Sequence, residues 1–172
     1  MDSSNDTIAA IAGAVILSLA VGSLLLLLSA LRRGGNRPAA TALDRMAAAA
    51  PRVHVAAGAL LLTTAVHLAL TPAHLDEAPL LGVLFAASGV AGILLTISLY
   101  AHARGAPQLI VALLGALIAG YVITRMIGYE DWDGLGLVTV AIEIAGMVAI
   151  APMFQRRRRG AGLRAALASR AP

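Results

Sequence analysis

Two imidazoles and a carboxylate fall close together in this chain, at His67, His74 and Glu77. Nitrogen and oxygen donors of this kind suit Zn²⁺, Cu²⁺ or Fe²⁺. His74 and Glu77 are three residues apart, so they share a face if their segment is helical. A second concentration is Arg125 and Glu143, with Tyr121 one turn from Arg125 on the same helix face. Glu143 lies ten residues beyond Asp133, or about 15 Å along a helix, inside an apolar run. A carboxylate in such surroundings must be protonated, paired or open to water. Arg125 has the reach to turn inward to Glu143 or outward to Glu130 and Asp131.

Taken together, His67, His74, Glu77, Tyr121, Arg125 and Glu143 are expected to line one outward-facing polar pocket that binds a metal ion or a small polar ligand. Each residue also has a plainer reading. His67 would be an interior histidine bonded to backbone, His74 to Glu77 a wet loop capping the next helix, and Arg125–Glu143 a register-fixing ion pair. A single haem between His67 and His74, or between His54 and His102, stays open on spacing. Two stacked haems do not fit, because His74 and His102 would lie about 42 Å apart on a continuous helix. There is no cysteine, which removes thiolate metal sites and thiol chemistry. No nucleophile–base motif, HExxH or phosphate-binding glycine loop is present, so enzymatic activity is not the favoured reading.

The elements that must position these groups follow from composition. The 172 residues are 59% hydrophobic and 13% charged, against about 25% charged in an average soluble domain. Charges are nearly absent from five apolar stretches, 8–31, 53–70, 80–100, 108–127 and 135–154. Each is near the ~20 residues that cross a bilayer as a helix. The expected fold is therefore an all-α polytopic membrane protein, one membrane domain over 1–172 with a basic tail at 155–172. Gly34-Gly35, Pro38, Pro72, Pro79, Gly105, Pro107, Gly128 and Gly134 punctuate the stretches. Pro72 is expected to stop the second helix before His74. Thr41 and Asp44 suggest a capping box opening a short helix over 41–50, with Leu43 and Met46 on its apolar face.

Lysine is absent, and twelve of the thirteen arginines flank the first span's end, the third span's end or the tail. The other ends carry Asp76, Glu77, Glu130, Asp131 and Asp133. The positive-inside rule then puts the N-terminus outside, the tail in the cytoplasm and the protein in the plasma membrane. The acidic start and 24-residue first span argue for a retained anchor over a cleaved signal. Arg156–Arg159 suit anionic lipid head groups. Nucleic acid is not an expected partner, because the arginines flank spans and lack stacking aromatics. Small residues at Ala112, Ala116, Gly120 and Thr124, and at Ser88, Gly92 and Thr96, should form packing seams, within the chain or in a homo-oligomer.

The run His67-x6-His74-x-x-Glu77-x-Pro79-x-x-Gly82-x-x-Phe85, with Tyr121-x-x-x-Arg125-x-x-Gly128 and an intramembrane Glu143, resembles a group of small actinobacterial multi-pass membrane proteins. The resemblance covers the last four spans and implies that His67, His74, Glu77, Arg125 and Glu143 belong together; it implies no activity. Two roles remain open at this level: binding or transport through the polar pocket, and a non-catalytic accessory subunit of a larger membrane complex.

Overall fold

The structure is a computed structural model describing residues 3–129 and 131–168, with side chains described over 8–129 and 131–154. Glu130 and the side chains of Arg156–Arg159 lie outside the described residues. Among those residues the regular structure is helical: α1 (Ser3–Arg33), α2 (Arg37–Ala47), α3 (Pro51–Glu77), α4 (Pro79–Tyr100), α5 (Ala106–Met126) and α6 (Gly134–Ala168). Five contain segments long and apolar enough to cross a membrane: Ile8–Arg33, Pro51–Glu77, Pro79–Tyr100, Ala106–Met126 and Gly134–Phe154.

Prolines start the helices. Pro51 and Pro79 open α3 and α4, and Pro38 and Pro107 sit in the first turns of α2 and α5. A missing N–H costs nothing there, since first-turn donors have no partner inside the helix. α2 begins earlier than its sequence suggests: Asn36 is the cap, accepting from the Ala39 N–H at 3.0 Å. The expected capping box is not used. Thr41 sits inside the helix and donates to the Arg37 carbonyl, while Asp44 pairs with Arg32 at 3.1 Å.

Pro72 does not stop α3, which runs on to Glu77. Apolar surroundings supply no water to a broken backbone, so the helix persists through the proline, whose missing N–H leaves only the Leu68 carbonyl without its helical donor. The Thr71 hydroxyl donates to the His67 carbonyl at 2.8 Å, and His74 bonds the Leu70 carbonyl. A single residue, Ala78, then joins α3 to α4.

α3 is the axis of the bundle, touching α1, α4 and α6, and half of its apolar window is buried. Glycines set the registers. A Cβ on Gly82 would lie 2.6 Å from the Leu75 backbone N, one on Gly89 would meet Leu68, and one on Gly92 would meet the Thr64 side chain. α4 therefore runs antiparallel down α3 at close approach, and the Ser88–Gly92–Thr96 line is an internal seam. Gly146 of α6 abuts Ala59 of α3 and Leu114 of α5. The other small line behaves differently: Ala112, Ala116 and Gly120 face outward, and nothing lies within 4 Å of a Cβ built on Gly120.

The two ends of the bundle are filled with different chemistry. Toward the arginine-bearing end, Val53, Ala56, Ala57 and Leu60 pack with Leu99, Ile110, Leu114 and Ile150 into an apolar core. Toward the acidic end, the buried positions include Thr63, Thr64, His67, His74, Thr139 and Glu143.

Candidate functional site

The sequence-predicted residues assemble into three neighbouring groups within the acidic half. The first is built by α3 and α4. His67 and His74 are seven residues apart on α3, about two turns, and so share a face. Phe85 of α4 contacts both rings, at centroid distances of 4.8 and 4.5 Å. His67 Nδ1 bonds the Thr63 carbonyl at 2.8 Å and His74 Nδ1 bonds the Leu70 carbonyl at 3.0 Å. A carbonyl only accepts, so Nδ1 is the donor in both rings and Nε2 holds the lone pair of the neutral form. Glu77 is exposed at the end of α3 rather than buried with the imidazoles. Among the described residues no group of three or more His, Cys, Asp or Glu side chains is placed to hold a metal. The expected three-ligand site is thus not assembled: both Nδ1 atoms are committed to backbone, and Glu77 points to the surface.

The second group lies between α5 and α6. The Arg125 guanidinium sits 3.9 Å over the Tyr121 ring and bonds Asp133 at 2.8 Å and the Thr124 hydroxyl at 2.9 Å. Asp133 also caps α6, accepting from the Gly136 N–H at 2.6 Å, and the Tyr121 hydroxyl donates to the Asp133 carbonyl at 3.2 Å. Gly136 is required here because any Cβ would collide with the Tyr121 ring. Arg125 thus turns to the acidic end instead of down to Glu143, which lies about 15 Å of helix rise below Asp133. Its side chain is 12% exposed, so a guanidinium held over an aromatic face and paired with a carboxylate closes this end of the α5–α6 contact.

Glu143 itself forms the third group. It is 1% exposed, and its Oε1 has no hydrogen-bond partner. The Gly146–Ala59 contact sets the α3–α6 register. One turn toward the acidic end, Glu143 comes level with Thr63, whose buried hydroxyl is likewise unpartnered. The adjacent Thr64 hydroxyl, against Gly92 of α4, is unpartnered too. Thr71, Thr96 and Thr139 satisfy their hydroxyls on the carbonyl four residues back, so the state of Thr63 and Thr64 is particular to this level of the bundle. Thr63, Thr64, Phe85 and Asp133 were not among the residues expected from sequence. Two consecutive threonines in the middle of an apolar helix are the signal that could have pointed to Thr63 and Thr64.

His54 and His102 belong to the opposite end. His54 bonds the Tyr100 hydroxyl at 2.9 Å, and His102 sits in the α4–α5 turn with a positive φ of 54°. Comparison with protein-family models, curated proteins and solved structures finds no match for this chain.

Proposed function

We propose that this chain is a plasma-membrane binding or transport protein whose ligand, a small polar or cationic solute, is taken up in the polar half of the helix bundle. The observation that carries this reading is Glu143: a carboxyl 1% exposed, with an unpartnered oxygen, level with the unpartnered Thr63 hydroxyl. A buried polar atom left without a partner costs about 1–3 kcal/mol, more for a charged group. Such a cost is retained where a ligand offsets it. The arginine asymmetry supports an orientation with the acidic end outside, the tail in the cytoplasm and ligand entry from outside. On that path lie His74 and then His67, each with Nδ1 bonded to a backbone carbonyl of α3.

The test is a thermal-melt panel on the purified protein in detergent with sodium, zinc, copper, small amines and small carboxylic acids. A ligand should raise the wild-type melting temperature and leave Glu143→Gln unmoved. A panel that shifts neither protein, or both equally, removes the reading.

A second reading, an accessory subunit, is favoured by one observation: the outward face of α5 at Ala112, Ala116 and Gly120 has no partner among the described residues and suits a neighbouring helix. Anionic head groups at the basic tail fit either role.

A further inference from the structure

Three of the chain's six Phe, Tyr and Trp residues, Tyr121, Tyr129 and Trp132, lie in or beside the connection between α5 and α6. Trp132 is not a loose tip. Its ring meets Tyr121 edge-on at 5.8 Å, and Tyr121 is itself held between the Arg125 guanidinium and the backbone at Gly136. Trp132 nonetheless stays 58% exposed, beside Tyr129 at 57%, Ile127 at 70% and Met126 at 76%. Neither the Trp132 indole N–H nor the Tyr129 hydroxyl has a hydrogen-bond partner among the described residues. The flanking helices add Ile123, Leu137 and Val138, each more than half exposed, so the apolar surface of the spans continues into the connection. Charge there is mostly cancelled: Arg125 pairs with Asp133 at 2.8 Å, which leaves the exposed Asp131.

The other connection at this end is built differently. Ala78 alone joins α3 to α4, with Asp76 and Glu77 exposed beside it. Its exposed apolar side chains, Leu75 and Leu80, carry no polar handle, and the nearest aromatic ring, Phe85, packs on His67 and His74. Length fixes the level of the α5–α6 connection. The 21 residues of α5 rise about 32 Å, close to the ~30 Å of a hydrocarbon core. With Arg104 among head groups before the start of α5, Met126 reaches the opposite boundary and Tyr129 and Trp132 follow just beyond it. Tyr and Trp suit that layer, because the ring packs on acyl chain while the O–H or N–H finds a polar partner.

We propose that the α5–α6 connection is a membrane-interface anchor whose partner is phospholipid. Met126 and Ile127 meet acyl chains, and Tyr129 and Trp132 sit level with the ester and phosphate groups, to which they donate. The α3–α4 connection is then the wetter of the two at this end. The anchor holds whatever Glu143 binds, so it stands or falls apart from the solute reading.

Trp132 is the chain's single tryptophan, so the unmodified protein carries its own reporter. The full chain is reconstituted in phosphatidylcholine vesicles with iodide on both sides, and Trp132→Phe supplies the blank. Emission should lie at shorter wavelength than that of indole in water and resist iodide. Phosphatidylcholine brominated near the glycerol end of its acyl chains should quench it more than lipid brominated near the methyl end. Diluting the protein with lipid should change none of this. Emission quenched by iodide and indifferent to bromine puts the connection in water and overturns the proposal. Stronger quenching from the methyl end overturns the interfacial level. Emission shielded from both quenchers, and shifting as the protein is diluted, places a second chain over Trp132 and overturns phospholipid as the partner.

Discussion

The two halves of this bundle share the same helices but hold them together differently. At the arginine end α3, α4, α5 and α6 meet through Leu60, Leu99, Ile110, Leu114 and Ile150, all of them under 5% exposed. At the acidic end the same helices bury histidine, threonine and glutamate, and three of those polar side chains keep an atom without a partner. In lipid there is no hydrophobic drive between helices, so the apolar half is held by close packing alone and tolerates little change of shape. The polar half gives up some of that packing for groups that can change partner. The function proposed above is assigned to the half that buries Thr63, Thr64 and Glu143, while the apolar half, whose one buried unpartnered atom among the described residues is Arg52 Nε, holds the helices in register.

The comparison is broken most severely at the α3–α4 contact that runs through both halves. Gly82→Leu drives a side chain into the Leu75 backbone, which cannot yield as a side-chain tip would. Overpacking costs about 1–3 kcal/mol where side chains can yield; against backbone the cost is larger, and the α3–α4 contact should fail to form. The expected outcome is loss of the cooperative melt followed by circular dichroism. Next comes Leu114→Ala in the apolar half, where a fully buried side chain leaves a cavity at an expected cost of about 2–5 kcal/mol. Glu143→Leu, of similar bulk, should by contrast leave stability unchanged or raise it by about 1–3 kcal/mol, because it removes a buried carboxyl whose Oε1 has no partner. If Glu143→Leu destabilises as much as Leu114→Ala, the two halves are not different in kind.

A smaller effect is expected at Asp133, which bonds Arg125 and caps α6 together. Asp133→Ala should cost about 1–2 kcal/mol, mostly through the cap, because the carboxylate is 33% exposed and its ion pair is partly screened. Asp133→Asn should recover much of that by keeping an acceptor for the Gly136 N–H. Parallel urea or thermal titrations of the two variants separate cap from charge.

The spans were legible because length and apolarity in lipid leave a helix as the main solution for a chain without barrel-like alternation, and the prolines at 51 and 79 mark the starts. The polar residues were legible as a set for the same reason: His67, Arg125 and Glu143 are conspicuous where solvation is poor. Their grouping was not legible, because rotation about a helix axis is decided by packing that a single sequence does not display. Tyr121 and Gly136 fit together only when the α5–α6 register is known, and that fit carries Arg125 to Asp133 and away from Glu143. Pro72 misleads because rules learned in water let a freed carbonyl be hydrated, whereas here α3 continues. The two small-residue lines had the same spacing and opposite fates, since spacing marks where a helix can approach and not whether one does.

That last difference gives the smallest expected effect on the chain itself. Gly92→Leu would collide with Thr64 in the α3–α4 seam, whereas a Cβ at Gly120 has nothing within 4 Å. The Gly120 variant should change the monomer's melt by no more than about 0.5 kcal/mol, with the better helix propensity of leucine tending to raise it. Its informative readout is assembly. Crosslinking in native membranes, run on wild type and Gly120→Leu side by side, should show the same species if α5 faces only lipid. A larger species present in wild type and lost in the variant would mean that a second helix packs on Ala112, Ala116 and Gly120. The open face of α5 would then be an interface, and the accessory-subunit reading would take precedence over the solute site.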